Sequence, residues 1–255
     1  MIARVNILGV GVSAVNMATA VAKIQDWIRG GESHYVCVVP VHSIMDCVRD
    51  AELRRIVNRS AMSTPDGMPV VWLCRMKGFR DVRRVYGPDL MLEVCRVSEK
   101  AGYRHYFLGG EEGVPEQLAR NLKIRFPLLQ VAGSYSPPFR ELTPAETDEM
   151  IARVNQNRPD ILWVGLGSPK QEQWMASNVE SLGVPVTIGV GAAFDFHAGK
   201  KKQAPRWMQR SGLEWLFRLA SEPRRLWKRY LKANPTFVVL VVLQTLGLKK
   251  FSMDI

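Results

Sequence analysis

Short β-rich runs alternate with longer amphipathic stretches over the first 196 residues, and this alternation constrains the fold more than any other feature. The β-rich runs are Arg4–Val10, Tyr35–Val41, Arg104–Leu108, Leu129–Ala132, Ile161–Gly165 and Val186–Val190. Between them lie stretches with helical periodicity: Met17–Arg29, Asp50–Asn58, Asp89–Ala101, Glu116–Phe126, Pro144–Asn157 and Pro169–Leu182, with a shorter apolar one at Val70–Met76. Strand and helix periods that alternate in this way predict an α/β domain with a mostly parallel sheet and helices on both faces. There is no internal repeat and no flexible linker. A single shift of composition near His197 divides residues 1–196, expected to be the core, from residues 197–255, expected to be a basic helical appendage.

The chain has 255 residues, enough for one domain or one plus an appendage. Hydrophobic residues make up 47% and charged residues 23%, which excludes disordered, collagenous and low-complexity chains. No apolar run reaches the ~18 to 20 residues of a membrane-spanning helix, and Met1-Ile2-Ala3-Arg4 leads into a strand pattern with no signal-peptide logic. Cys37, Cys47, Cys74 and Cys95 are far apart and form no CxxC pair, which argues against a zinc site and for reduced thiols in the cytoplasm.

The formal net charge is +11, and most of it sits in one segment. Lys200 to Lys232 holds 11 Lys or Arg against two acids, Glu214 and Glu222, so 11 − 2 = +9 lies there. Trp207, Trp215, Phe217, Trp227 and Tyr230 are interleaved with these cations. Such a pattern suits a nucleic-acid surface, an anionic membrane interface or a plain solvated helix face. The apolar run Phe237–Leu243 follows, too short to span a bilayer, and its position beside a polybasic aromatic segment favours the membrane surface.

Open α/β sheets bind ligands beyond the carboxyl ends of their strands, so the loops there carry the functional reading. Gly9-Val10-Gly11 with Ala14 imitates a dinucleotide fingerprint, but no acidic residue ends the next strand, Tyr35–Val41. Gly167-Ser168-Pro169-Lys170-Gln171-Glu172 is more informative. Ser168 suits an N-cap, Pro169 a first helical position and Gln171 a capping box. Capping does not call for Gly167 or Lys170, and a glycine-flanked helix start with a lysine is an anion site. Gly109-Gly110-Glu111-Glu112-Gly113 repeats the theme, so a diphosphate or nucleotide between two glycine-lined turns is expected. Neither turn has the Gly-Lys-Ser/Thr ending of a P-loop.

Two further sites carry acids. Asp66, in Thr64-Pro65-Asp66-Gly67-Met68-Pro69, has three readings: a turn residue, the N-cap of the following helix, or a general base at the sheet edge. Arg84 follows about twenty residues on, in Arg84-Val85-Tyr86-Gly87-Pro88-Asp89-Leu90. Gly189 to Phe196 (GVGAAFDF) is again a strand entering a small-residue loop, here ending in Asp195.

Taken together these segments resemble the WecG/TagA/CpsF proteins, glycosyltransferase family 26, over about residues 3 to 232. The motifs are TPDGMPVVW (Thr64–Trp72), RVYGPDL (Arg84–Leu90), FLGG (Phe107–Gly110), GSPKQE (Gly167–Glu172), GVGAAFDFHAG (Gly189–Gly199) and APRWMQRSGLEWLFRLASEPRR (Ala204–Arg225). The resemblance implies a Rossmann-like core and an inverting transfer of a sugar from a UDP-sugar to a sugar on a polyprenyl diphosphate. It implies a place in teichoic-acid, common-antigen or exopolysaccharide synthesis, at the inner face of the membrane. By the same resemblance Asp66 is the catalytic base, Gln171 binds substrate and Asp195 contacts the uracil nucleotide. Thr64, Arg84, Gly109, Gly110, Gly167 and Lys170 belong to the donor side, while Arg218, Arg225 and Lys228 hold the acceptor diphosphate.

One departure bears on the donor. Many relatives carry Thr and Asn in the loop after the second strand, where this chain reads Val39-Pro40-Val41-His42-Ser43. No DxD motif is present, so the departing UDP is expected to be neutralised by helix N-termini, Lys170 and the appendage arginines, without a metal or other cofactor. The rival readings are a basic nucleic-acid-binding protein, which leaves the Asp66 and Gly167–Glu172 loops without purpose, and an NAD-type oxidoreductase built on Gly9–Ala14. The expected partners are a UDP-sugar, a lipid-diphosphate-linked glycan and an anionic membrane surface, with no nucleic acid. Donor sugar, acceptor glycan and self-association stay open at this level.

Overall fold

The computed structural model describes residues 2–253, apart from the side chains at positions 225, 228, 229 and 232. In chain order the elements are β1 (Arg4–Ile7), β2 (Val10–Ser13), α1 (Met17–Gly30), β3 (His34–Val39), α2 (Val41–Arg49), α3 (Ala51–Arg59), β4 (Met62–Pro65) and α4 (Met68–Met76). Next come α5 (Gly87–Ala101), β5 (Arg104–Gly109), α6 (Val114–Arg125), β6 (Gln130–Tyr135), α7 (Pro144–Gln156), β7 (Ile161–Gly165) and α8 (Lys170–Asn178). The chain closes with β8 (Val186–Gly189), α9 (Ala193–His197), α10 (Arg206–Arg210), α11 (Glu214–Ser221) and α12 (Pro223–Thr245). The fold is α/β and Rossmann-like, with a six-stranded parallel sheet in the order β4-β3-β8-β7-β5-β6.

The chain forms two compact units. One contains residues up to Met17, Val38–Tyr86 and everything from Gln203 on; the other contains Ala18–Cys37 and Gly87–Lys202.

In the second unit, β3, β8, β7, β5 and β6 pair in parallel. β7 (Ile161–Gly165) and β8 (Val186–Gly189) read as nearly unbroken apolar runs, as strands covered on both faces require. Trp163, Phe107, Tyr106 and Ile188 are essentially inaccessible to solvent. After β5 the chain crosses outward to β6, and after β7 it crosses the other way to β8, so the strand order reverses between β5 and β7. The loops that flank such a switch point, outside the carboxyl ends of the strands, are where open α/β sheets bind ligands. The loops concerned are Gly109–Gly113 and Gly165–Pro169, the glycine-lined turns already singled out.

In the first unit, Arg4–Val10 is not one strand. β1 and β2 form an antiparallel hairpin, Arg4 opposite Ser13 and Ile7 opposite Val10. The turn is Leu8-Gly9, with φ of 52° and 87°, and the Asn6 Oδ1 accepts from the Gly9 N–H at 2.9 Å. Apolar residues on both sides of the turn hide it in a hydropathy reading, whereas glycine at its second position permits it. Gly9-Val10-Gly11 therefore lies in a hairpin and not between a strand and a helix, which removes the context of a dinucleotide fingerprint. Val41 opens α2 rather than closing a strand, and the four-residue β4, buried throughout, has no pattern long enough to announce it.

The appendage is helical. α12 runs through Pro235 and carries both the last cations of the Lys200–Lys232 segment and the apolar run Phe237–Leu243 on one helix. Its far end is tied to the hairpin: Leu8 N–H donates to Gln244 Oε1 at 3.1 Å, and Asn6 Nδ2 donates to the Phe251 carbonyl at 2.7 Å.

Candidate active site

In the first unit the Asp66 carboxylate stands just beyond β4. It does not cap α4: the N-cap is Gly67, whose φ of 85° turns the chain before Pro69 enters the first turn, and no side chain accepts there. The turn is fixed by backbone alone, Asp66 N–H donating to the Val39 carbonyl at 3.3 Å and Val85 N–H to the Pro65 carbonyl at 2.9 Å. Asp66 is thus left to a partner of another kind. Arg84 Nε donates to its Oδ1 at 3.2 Å.

Arg84 is the hub of a buried cluster. Its Nη1 donates to Gln209 Oε1 at 3.1 Å, its Nη2 donates to Glu214 Oε2, and its guanidinium lies 3.9 Å over the Tyr86 ring. Gln209 is held in turn by donating to the Ala204 carbonyl at 2.8 Å. Arg218, one turn along α11 from Glu214, approaches Glu214 Oε1 at 3.4 Å. The side chains of Asp66, Arg84 and Glu214 are 13%, 12% and 15% exposed, so their mutual charges act in a medium far less screening than water.

Burial pushes the Asp66 carboxyl above the usual carboxylate range; Arg84 pulls it back and the negative charge of Glu214 pushes it up again. A carboxylate so balanced is a better proton acceptor than an exposed aspartate. Burial also raises the Tyr86 phenol, keeping it neutral beneath Arg84.

This cluster forms one end of a cavity of about 540 Å³. The rest of the wall is mainly apolar, with Trp72 and Met76 from α4 and Phe237, Val238, Val241 and Val242 from α12. His42, in the segment that departs from the family pattern, also lines it. Thr64 does not; it is fully buried, and its hydroxyl donates to the Val85 carbonyl at 3.2 Å. Of the acceptor cations expected from the sequence, Arg218 lines the cavity, while the Arg225 and Lys228 side chains lie outside the described residues.

In the second unit the strand-end loops converge. Gly110 N–H donates to the Gly165 carbonyl at 3.0 Å, and a Cβ on Gly109, at φ 119°, would lie 2.6 Å from the Gly165 carbonyl carbon. A Cβ on Gly165 would in turn strike the Phe194 ring at 2.8 Å. Only glycine allows these turns to meet so closely.

Ser168 does not cap α8 and Gln171 does not close a capping box. The helix begins at Lys170 after a cis Ser168–Pro169 peptide, Pro169 is the N-cap, and the Ser168 hydroxyl finds no hydrogen-bond partner among the described residues. Proline at the N-cap has neither a side-chain oxygen to cap the helix nor an N–H to donate to a glutamine, so Gln171 serves elsewhere. It is 4% exposed and its Nε2 donates to Glu172 Oε1 at 2.9 Å. Its amide lies against the turn after β8, where a Cβ on Gly189 would come within 3.0 Å of Nε2. Its Oε1 has no hydrogen-bond partner among the described residues, an orphaned acceptor that burial makes costly. Asp195, on α9 beyond the same turn, pairs with Lys201 Nζ at 2.9 Å, and Lys170 is exposed at the start of α8. Gly109, Gly110, Gly167, Lys170, Gln171 and Asp195 thus all lie at or just beyond the carboxyl ends of β5, β7 and β8, in the turns there or on the helices that follow.

Sequence reading missed Gln209 and Glu214. Their partner Arg84 is 125 and 130 positions away, beyond any local pattern. The available signal was charge: Glu214 is one of only two acids in a segment of 11 cations.

The second unit carries glycine-lined turns at the sheet's switch point, and the first carries a buried aspartate beside arginines at a mainly apolar cavity. A family model described as "Glycosyl transferase WecG/TagA/CpsF family" matches residues 5–251, and the chain belongs to that family. It is similar to the N-acetylglucosaminyldiphosphoundecaprenol N-acetyl-beta-D-mannosaminyltransferase of Bacillus subtilis (strain 168), 30% identical over 204 residues, 80% of this chain and 77% of the relative. It is also similar to the protein of the same description from Staphylococcus aureus (strain MW2), 24% identical over 250 residues, 97% of this chain and 96% of the relative. No helix among the described residues is long and apolar enough to cross a membrane, and no His, Cys, Asp or Glu cluster there could hold a metal ion.

Proposed function

We propose that the protein transfers a hexosamine, N-acetylmannosamine in the first instance, from its UDP derivative to a sugar on a polyprenyl diphosphate, with inversion at the anomeric carbon. The observation that carries this reading is Asp66, a buried carboxylate lining a cavity whose remaining wall is mainly apolar. The relatives' descriptions supply the donor sugar and an N-acetylglucosaminyl-diphosphoundecaprenol acceptor.

In the reaction Asp66 takes the proton of the acceptor hydroxyl as its oxygen bonds to the anomeric carbon. The bond from that carbon to the diphosphate breaks, and UDP leaves with the electron pair. Positioned proton transfer of this kind contributes ~10² to 10⁴-fold. The two glycine-lined turns and Lys170 suit the donor's diphosphate, Gln171 the sugar, through its orphaned Oε1, and Asp195 the uracil. Arg218, with Arg225 and Lys228, suits the acceptor's diphosphate. The apolar wall from α4 and α12 suits the first isoprene units.

Residues 1–196 are then the catalytic core and residues 197–255 the appendage that meets the inner face of the membrane. Exposed Trp227, Leu231, Val239 and Val242 on α12, the helix that also carries cations, support that assignment. The test is UDP release across a panel of UDP-sugars with a short-chain lipid-diphosphate-linked N-acetylglucosamine. Acceptor-dependent release from one donor, lost in Asp66→Ala, is the expected result. Release that survives the substitution removes Asp66 as base, and failure of UDP itself to bind removes the whole reading.

A further inference from the structure

Arg84 does not belong to Asp66 alone. Nε meets Asp66 Oδ1, Nη2 meets Glu214 Oε2 and Nη1 meets Gln209 Oε1, so each nitrogen of the guanidinium has a side-chain partner. Glu214 is itself shared, its other oxygen lying 3.4 Å from Arg218 Nε. Two carboxylates and two guanidiniums therefore sum to zero formal charge in a pocket where each side chain of the Asp66–Arg84–Glu214 chain is less than one-sixth exposed.

An aspartate paired one-to-one with an arginine is a poor base, because the cation holds it ionised and draws its pKa down by ~1 to 3 units. Here a second carboxylate claims the same guanidinium. We propose that Glu214 is a positioning residue of the transfer: it holds Arg84 so that one edge of the guanidinium reaches Asp66, and so keeps Asp66 basic enough to take the acceptor proton.

The geometry fits this role. Asp66 Oδ2 has no hydrogen-bond partner among the described residues, and the side chain opens onto the cavity. Glu214 is anchored at the first turn of α11, opposite in charge to the segment around it. The charged and titratable groups around Asp66 are Arg84 with Tyr86 packed against it, Glu214 and Arg218 from α11, Tyr230 from α12 and His42 from α2. Among these only Glu214 is an acid, and its charge acts to raise Asp66 while Arg84 and Arg218 lower it.

The role presupposes that Asp66 is the base, and the experiment separates the two. The pH profiles of kcat and KM are measured for wild type, Glu214→Gln, Glu214→Asp and Asp66→Asn, with UDP-N-acetylmannosamine and a short-chain N-acetylglucosaminyl diphospholipid. Thermal melting of each variant is recorded alongside. Glu214→Gln is expected to move the acid limb of kcat to lower pH and to lower kcat on the order of 10-fold at its plateau, with acceptor KM little changed. Glu214→Asp, which keeps the charge but loosens the grip on Arg84, is expected to fall between the two and carries the test if Glu214→Gln melts early. An acid limb that stays in place in both variants, or a change confined to KM, overturns the inference. Loss of the acid limb in Asp66→Asn alongside an unmoved limb in the Glu214 variants overturns it while leaving Asp66 as base. An acid limb that persists in Asp66→Asn overturns both.

Discussion

Gly109 and Gly165 touch through their backbones. The 2.6 Å that would separate a Gly109 Cβ from the Gly165 carbonyl carbon leaves no room for any side chain, and a φ of 119° is one that L-residues rarely adopt. Both constraints act at the point where the sheet reverses its strand order.

Gly109→Ala should therefore cost stability twice, through strain of ~1 to 3 kcal/mol and through a backbone clash that only separation of the two turns relieves. A fall in Tm of roughly 4 to 10 °C is expected for a chain of this size. Differential scanning calorimetry with and without UDP checks it; a variant that melts with wild type, and still gains stability from UDP, removes the close approach as a requirement.

Asp66 should be held at a cost to stability. Its folded pKa is raised, so the group favours the folded state most at low pH, and that contribution is lost as pH rises through the folded value. Asp66→Asn, inactive or nearly so, is expected to melt above wild type at pH 8, with the gap closing on acidification. Melting below wild type at pH 8 would show that the ion pair with Arg84 outweighs the burial.

His105 predicts an acid-sensitive core. It is fully buried, its Nδ1 accepts from Trp163 Nε1 at 2.9 Å, and burial drives its pKa down to about 3. With a lowered folded value, its contribution is complete above the unfolded pKa of ~6.5 and drains away as pH falls toward 3, at about 1.4 kcal/mol per pH unit. His105→Phe should flatten the dependence of urea-unfolding free energy between pH 6.5 and 4. An unchanged slope would place the acid sensitivity elsewhere.

Turnover should survive chelation. The proposed neutralisation of UDP by backbone N–H groups and basic side chains needs no ion, so EDTA is expected to leave the rate within about twofold. Abolition by EDTA with recovery on adding Mg²⁺ or Mn²⁺ would contradict it.

Vesicle binding should depend on salt. Each Lys or Arg near an anionic surface contributes ~1 kcal/mol, screened as ionic strength rises. Flotation with phosphatidylglycerol vesicles is expected at low salt and reduced at high salt, and weakened further in Trp227→Glu with Leu231→Glu. Flotation indifferent to salt, or its absence, removes the membrane account.

The parts of this molecule that could be read from its sequence are those whose chemistry is local. Gly109, Gly110 and Gly167 announce themselves because a strand, a glycine turn and a helix follow one another within a dozen residues. Asp66 stood out once its loop was seen, although its freedom from capping needed the φ of Gly67. The Leu8-Gly9 turn escaped because apolar residues flank it on both sides, and the Ser168 cap was misplaced because a proline took the N-cap. Gln209 and Glu214 were invisible for a different reason: a buried charge pair between residues 130 positions apart leaves no periodicity, only one acid in a basic stretch.

That separation also orders events during synthesis. The ribosome makes Asp66 and Arg84 early, and Gln209, Glu214 and Arg218 only after the sheet-end loops have been translated. A nascent chain of two hundred residues carries Asp66 with Arg84 but without Glu214, the acid whose charge raises the Asp66 carboxyl. On the proposed reading, competence for proton transfer arrives only with the segment that carries Gln209, Glu214 and Arg218, so the proposed base matures late in synthesis.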